Sequence, residues 1–228
     1  MKRLYNFLFP KYARFPLLLV LLMNSFVFWV VPTIQDWFGV TRYDLTDWPF
    51  VIDSVLPFIP AFMLIYVLSY VQWVGSYIYH SRDSRALCYR MTNSDLIAKV
   101  IVLAVFLLLP TGDYSGGLQP EVVGNGPFEW LTRLIFAADK PISLFPSIHC
   151  LESWMCFRTA TMMTKRNRWY ITAQFVFTLL VFASVVLVKQ HFFIDILGGI
   201  VVAEIGLFVY KTWDKTHLFE KVQLPSAR

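Results

Sequence analysis

Apolar residues in this chain run in long stretches instead of alternating with polar ones. Six runs cover about residues 15–33, 55–79, 96–110, 147–164, 169–188 and 191–212, with short polar connections between them. A helix needs about 20 apolar residues to cross about 30 Å of hydrocarbon. The pattern therefore predicts an all-α polytopic membrane protein, a six-transmembrane-helix bundle forming one domain over residues 1–228. No small-residue cleavage site follows the first run, so it is expected to remain as a helix and not to be removed as a signal peptide. No internal repeat or low-complexity segment interrupts the series.

Composition agrees with the pattern. With 57% hydrophobic residues, 18% aromatic residues and a mean hydropathy of +0.56, the chain is too apolar for an ordinary soluble domain. The net charge of +5 comes from lysines and arginines divided among the connections. That distribution argues against a nucleic-acid partner and instead sets orientation. Lys2, Arg3, Lys11 and Arg14 precede the first run. Arg82, Arg85, Arg90 and Lys99 fall between the second and third, Lys165, Arg166 and Arg168 between the fourth and fifth, and Lys211, Lys215, Lys221 and Arg228 at the end. The alternate connections are richer in acid than in base. Both termini are thus expected in the cytoplasm, most simply at a plasma membrane. Cys88, Cys150 and Cys156 have no metal-ligand spacing and are expected to be structural. The eight tryptophans mostly fall near run ends, as in an interfacial belt.

Under this topology His149 and His191 meet at one membrane face, the non-cytoplasmic one, while His80 and His217 lie on the other. Asp195 follows His191 by four residues, so on a helix it can accept the proton of one ring nitrogen and leave the other nucleophilic. A phosphorus centre is a suitable target. His149 is then positioned to give a proton to the leaving oxygen. Ser147 after Pro146 can cap a helix whose first N–H groups face an anion. Lys189 and Lys140 flank the histidines and can neutralise phosphate charge, with Lys189 favoured because it is two residues from the nucleophile. A carboxylate within a span is costly enough to suggest function, which supports Asp195 and, less firmly, Glu152 and Glu204. Glu152 is expected near His149, and Asp139 beside Lys140.

These residues resemble the type 2 phosphatidic acid phosphatase superfamily, whose Pro-Ser-x-His motif is matched by Pro146, Ser147 and His149. Its Ser-Arg-x5-His-x3-Asp motif is matched by Ser184, His191 and Asp195. The resemblance covers about residues 110–200, and Ile59-Pro60 with the aromatic second run is weakly similar to the inositol phosphorylceramide and sphingomyelin synthase branch. It implies His191 as nucleophile, Asp195 as its orienting partner, His149 as general acid, and Ser147, Ser184 and Lys189 around the phosphate. The substrate implied is a phospholipid or isoprenoid phosphate drawn from membrane lipids, with no metal or other cofactor. The sequence leaves room for a homo-oligomer. Val185 replaces the arginine of the second motif, and in the family's Lys-x6-Arg-Pro motif Gly112 and Gln119 replace the lysine and arginine before Pro120. Gly112 and Gln119 thus remove two cations expected on phosphate, which favours a monoester or diester over a pyrophosphate. Besides hydrolysis, the same chemistry could pass phosphate to an alcohol, and a non-catalytic lipid-phosphate-binding protein is the third reading.

Overall fold

The structure, a computed structural model, describes residues 2–44, 51–112 and 118–214. It is mostly helical. A short α1 (Lys2–Leu8) precedes α2 (Lys11–Ser25), which continues through a π-helical turn (Phe26–Val30) into α3 (Val31–Trp37). Pro32 has no N–H for the Phe28 carbonyl, a sufficient local reason for the ladder to widen just before it. After α4 (Val51–Val55), a 3₁₀ turn (Pro60–Phe62) leads into α5 (Met63–Asp83). Ser84 is extended, ending α5, and its side chain accepts from the Leu87 N–H to open α6 (Arg85–Leu108). Then follow α7 (Pro127–Ala138), α8 (Ile148–Ala160), α9 (Arg168–Leu187) and α10 (Phe193–Asp214).

Five helical stretches among the described residues are long and apolar enough to cross a membrane: Lys11–Trp37, Pro60–Asp83, Arg85–Leu108, Arg168–Leu187 and Phe193–Thr212. They mark an integral membrane protein. The fourth expected span differs. In α8 only 13 residues are helical, about 20 Å at 1.5 Å per residue, and most of them are buried among the other helices. The third stretch begins at Arg85, well before the apolar run at residue 96, because its polar first turns are covered by protein. Lys99, read from sequence as a loop charge, is fully buried in α6.

Tight contacts around α8 and α10 position the site. A Cβ on Gly199 would lie 2.7 Å from the Ser147 carbonyl oxygen and 3.0 Å from Cys150 Cβ, so only glycine lets α10 approach the start of α8 this closely. Gly206 plays the same part against α6, where a Cβ would be 2.4 Å from the Ser94 carbonyl oxygen. Helices in lipid gain little from excluding water, and small residues that bring backbones together supply packing instead. Two short strands, β1 (Tyr43–Asp44) and β2 (Thr111–Gly112), pair in parallel, and Gly112 bridges to Ile142. These strands hold the segment leading into α8.

Buried charged side chains in the bundle form a cluster. Lys99 Nζ donates to Asp95 Oδ1 at 2.9 Å and to Glu152 Oε1 at 2.6 Å, and Tyr77 donates to Glu152 Oε2 at 2.9 Å. Glu152 therefore serves this cluster and not His149, correcting the sequence expectation: its two carboxylate oxygens are taken by Lys99 and Tyr77. Arg158 pairs with Glu204, which also accepts from Trp154 Nε1. The three cysteines are buried and free.

Candidate active site

The turn between α9 and α10 carries His191. Its backbone N–H and that of Gln190 both donate to the Val185 carbonyl, each at 3.0 Å. Lys189 takes a positive φ of 55°, which lets the chain reverse within the turn. From there His191 Nδ1 lies 3.1 Å from Asp195 Oδ2, one helical turn into α10. The same oxygen accepts the Phe192 N–H at 2.9 Å, which fixes the carboxylate at the helix start. With a carboxylate as partner, Nδ1 carries the proton and Nε2 keeps its lone pair.

His149 stands in the first turn of α8, where Ser147 caps the helix by accepting the Cys150 N–H. Its ring centroid is 6.0 Å from that of His191. The ring stacks on Tyr66 at 4.1 Å and meets the edges of Tyr70, Trp73 and Phe28. Nε2 lies 3.2 Å from the Tyr70 hydroxyl, while the buried Nδ1 has no hydrogen-bond partner among the described residues. An aromatic cage thus sets the ring orientation and leaves the hydrogen-bonding capacity of one ring nitrogen unused. Trp73, counted from sequence with the interfacial belt, belongs to this cage.

The two histidines line a cavity of about 300 Å³ with Asp139, Lys140, Gln190, Ser143 and the aromatic rings of Phe28, Trp29 and Phe106. Tyr66 donates to Asp139 Oδ2 at 2.8 Å, so the side chain that stacks on His149 also anchors this carboxylate. Burial raises the Asp139 pKa above the ordinary carboxylate value, against the opposing pull of the Tyr66 hydroxyl and the nearby His191. Tyr66, Tyr70 and Asp139 were not assigned these places from the sequence, where only an aromatic second run and an acid next to Lys140 could be read. Lys140 does not pair with Asp139: it is mostly exposed, with Nζ 4.0 Å from Asp36. It is the one lysine or arginine among the described residues lining the cavity.

Lys189, favoured from sequence as the phosphate ligand, is directed elsewhere. Its amine donates to the carbonyls of Asp53 at 3.0 Å and Leu56 at 2.8 Å, and the side chain does not line the cavity. The positive φ that makes the turn sends the lysine toward α4. Burial lowers its pKa, partly offset by Asp53. Asp53 completes the tether by accepting the Phe193 N–H at 2.8 Å. Ser184 also lies outside the cavity, donating to the Val181 carbonyl within α9 at 2.7 Å. Ser147 is fully buried, acting as a cap.

A family model for the PAP2 superfamily matches residues 87–218, more than half of the chain. The chain belongs to that superfamily. Its members are phosphatases or related enzymes, which assigns this one to the chemistry of phosphate esters. No curated protein matches the chain. The positions at which the PAP2 chain departs from the motifs that its sequence resembles can be located. Val185 is a fully buried core residue whose carbonyl organises the His191 turn. Gln119 faces that turn, its Nε2 3.5 Å from Gln190 Oε1, so an amide pair occupies the border of the site where the motif would put a guanidinium. Among the described residues no group of three or more His, Cys, Asp or Glu is arranged to hold a metal ion.

Proposed function

We propose that the protein hydrolyses a lipid phosphate monoester at the non-cytoplasmic face of its membrane through a phosphohistidine. The observation that carries this reading is the pair of imidazoles 6.0 Å apart across one cavity, with His191 held at Nδ1 by Asp195. Nε2 of His191 attacks phosphorus, forming a P–N bond as the P–O bond to the lipid alcohol breaks. His149, protonated, gives its proton to the departing oxygen. The imidazolium that forms at His191 is stabilised by Asp195. In the second half, neutral His149 removes a proton from water, water oxygen attacks phosphorus and the P–N bond breaks. His191 returns to its starting state and inorganic phosphate leaves. Lys140 at the cavity rim and N–H groups in the turns about the cavity are the groups that balance phosphate charge.

The charges at each end of the bundle support this choice of face. With α8 counted as a short fourth crossing, the reading has six spans and puts the end of the bundle away from His149 and His191 in the cytoplasm. Thr159 near the end of α8 bonds His80 at 2.9 Å, and Thr164 after it bonds Asp83, both far down α5 from Tyr66 beside His149. The same end carries Arg14, Arg82, Arg85, Lys165, Arg166 and Arg168, the cytoplasmic signature.

Transfer to an alcohol in place of water is a second reading, supported by the wall of Phe28, Trp29, Phe106 and Ile148 beside the two histidines, against which a lipid alcohol can pack. The test is phosphate release by the purified protein, with chelator present, from a panel of lipid monophosphates, beside His191→Ala. Release that vanishes in the variant supports hydrolysis. Formation of a new phosphate ester from an added lipid alcohol, without inorganic phosphate, supports transfer, and turnover unaffected by His191→Ala overturns both.

A further inference from the structure

Lys140 is not alone at the cavity rim. Its amine lies 4.0 Å from Asp36 Oδ2, and the other oxygen of that carboxylate accepts from Arg42 Nη2. Asp36, at the end of α3, lines the cavity together with the two histidines, whereas Arg42 stands behind it and does not itself line the space. The carboxylate therefore sits between two cations, and the three groups together carry one net positive charge. Asp139, the other carboxylate of this wall, is taken by Tyr66.

Backbone and packing fix the place of these groups. Buried Gln35 docks the end of α3 on the cavity wall: its amide donates to the Phe106 carbonyl and accepts from Ser143 Oγ at 3.0 Å, and both partners line the cavity. The chain then turns back, with the Gly39 N–H on the Asp36 carbonyl at 3.1 Å and the Val40 N–H on the Gln35 carbonyl at 3.0 Å, which returns Arg42 to Asp36. The arginine stem lies against β2, where a Cβ on Gly112 would be 3.0 Å from Arg42 Cδ. Its side chain is 9% exposed, and that of Lys140 69%. The arginine is thus held by its surroundings, while the lysine reaches in from the rim.

We propose that Arg42 and Lys140 are the phosphate-binding pair of this cavity, and that Asp36 occupies their anion position until phosphate displaces it. This rests on the lipid-phosphate reading above and extends the site to Arg42, outside the segment matched by the superfamily model. A guanidinium presents five N–H donors in a fixed fork that fits two phosphate oxygens. Its charge-assisted bonds to a dianion are stronger than an ion pair with a carboxylate that is 40% exposed and screened by solvent. Asp36 is then a competitor for the site and not a ligand: it gives up the two cations as phosphate arrives and takes them back as phosphate leaves. Removing its charge should strengthen phosphate binding, and removing that of Arg42 should weaken it. A cluster that served only to hold α3 against the strand would suffer from both changes in the same sense.

The test measures binding of decyl phosphonate, whose P–C bond leaves no ester oxygen to depart, to the full chain in detergent. Arg42→Gln should raise Kd by at least about tenfold, and Asp36→Asn should lower it by about threefold. Lys165→Gln, which removes a charge at the other end of the bundle, is the control and should leave Kd unchanged. No binding by the unmodified protein, an unchanged Kd in Arg42→Gln, or an unchanged or higher Kd in Asp36→Asn overturns the inference. Thermal unfolding is recorded for each variant, and should Arg42→Gln not fold, the sign of the change in Asp36→Asn decides alone. The phosphonate is not turned over, so the outcome is independent of hydrolysis. Opposite shifts in the two variants uphold the pair even if no lipid phosphate is hydrolysed, whereas hydrolysis that depends on His191 beside an unchanged Kd in Arg42→Gln removes the pair and leaves the hydrolytic reading standing.

Discussion

The backbone N–H of Ser147 donates to the main-chain carbonyl of Asp195 at 3.1 Å, so the two sequence motifs are joined through backbone, at the first turns of α8 and α10. His149 is two residues beyond the donor, and His191 is four before the acceptor. The separation of the imidazoles is thereby set by how closely the two helices approach, which Gly199 permits. Gly199→Val should force them apart and lower kcat by about a hundredfold, the scale of a 1 Å misplacement of reacting groups. Thermal unfolding measured alongside kcat separates this from simple loss of fold.

Lys189 gives a test that separates positioning from phosphate binding. Its amine satisfies two carbonyls of the 53–56 segment, whose Asp53 side chain caps α10. Lys189→Met should reduce kcat with little change in KM, and Asp53→Asn should have the same signature. A selective rise in KM for Lys189→Met, deepening with phosphate charge, would return the lysine to the anion.

Asp139 and Tyr66 predict a pH effect of definite sign. The Asp139 pKa lies above its ordinary value of 3.8, so the folded protein holds this proton more tightly than the unfolded chain. Its contribution to stability is then present at low pH and lost as pH rises through the raised pKa. The melting temperature of the unmodified protein should fall relative to Asp139→Asn across that range. In Tyr66→Phe, which keeps the stack on His149 but removes the hydroxyl holding Asp139 down, the fall should occur at higher pH. A difference independent of pH would contradict this.

How much was legible in the sequence depends on the range of each interaction. The spacing of four between His191 and Asp195 predicts a pairing within one helical turn, and the 3.1 Å contact is local in just that sense. Apolar runs likewise predict the long helices, because crossing hydrocarbon imposes a minimum length. The tether from Lys189 to residues 53 and 56 is a tertiary contact made possible by one positive φ, and charge proximity along the chain points the wrong way. Lys99 lies at the polar start of an apolar run, which composition cannot distinguish from the end of a loop. Its partner Glu152 is 53 residues away, and only the packed helices show that a lysine at this depth is satisfied. The aromatic cage of His149 draws Tyr66, Tyr70 and Trp73 from consecutive turns of α5, a stripe that hydropathy alone reads as membrane surface.

That buried cluster has its own consequence. Lys99→Met leaves Asp95 and Glu152 facing each other without a cation in the bundle interior, and should cost about 3–5 kcal/mol. Replacing all three together, as Asp95→Asn, Lys99→Met and Glu152→Gln, should cost less than the single change. Thermal unfolding in detergent reads both, and a triple variant less stable than Lys99→Met would contradict the charge argument.

The central claim is that phosphorus is bonded transiently to His191. The direct measurement is rapid acid-free quenching of the protein turning over a radiolabelled lipid monophosphate in the presence of chelator, followed by peptide mapping. An alkali-stable, acid-labile label on the peptide containing His191, absent in His191→Ala, is the expected result. Turnover with no such label, or label on a different residue, would contradict the mechanism.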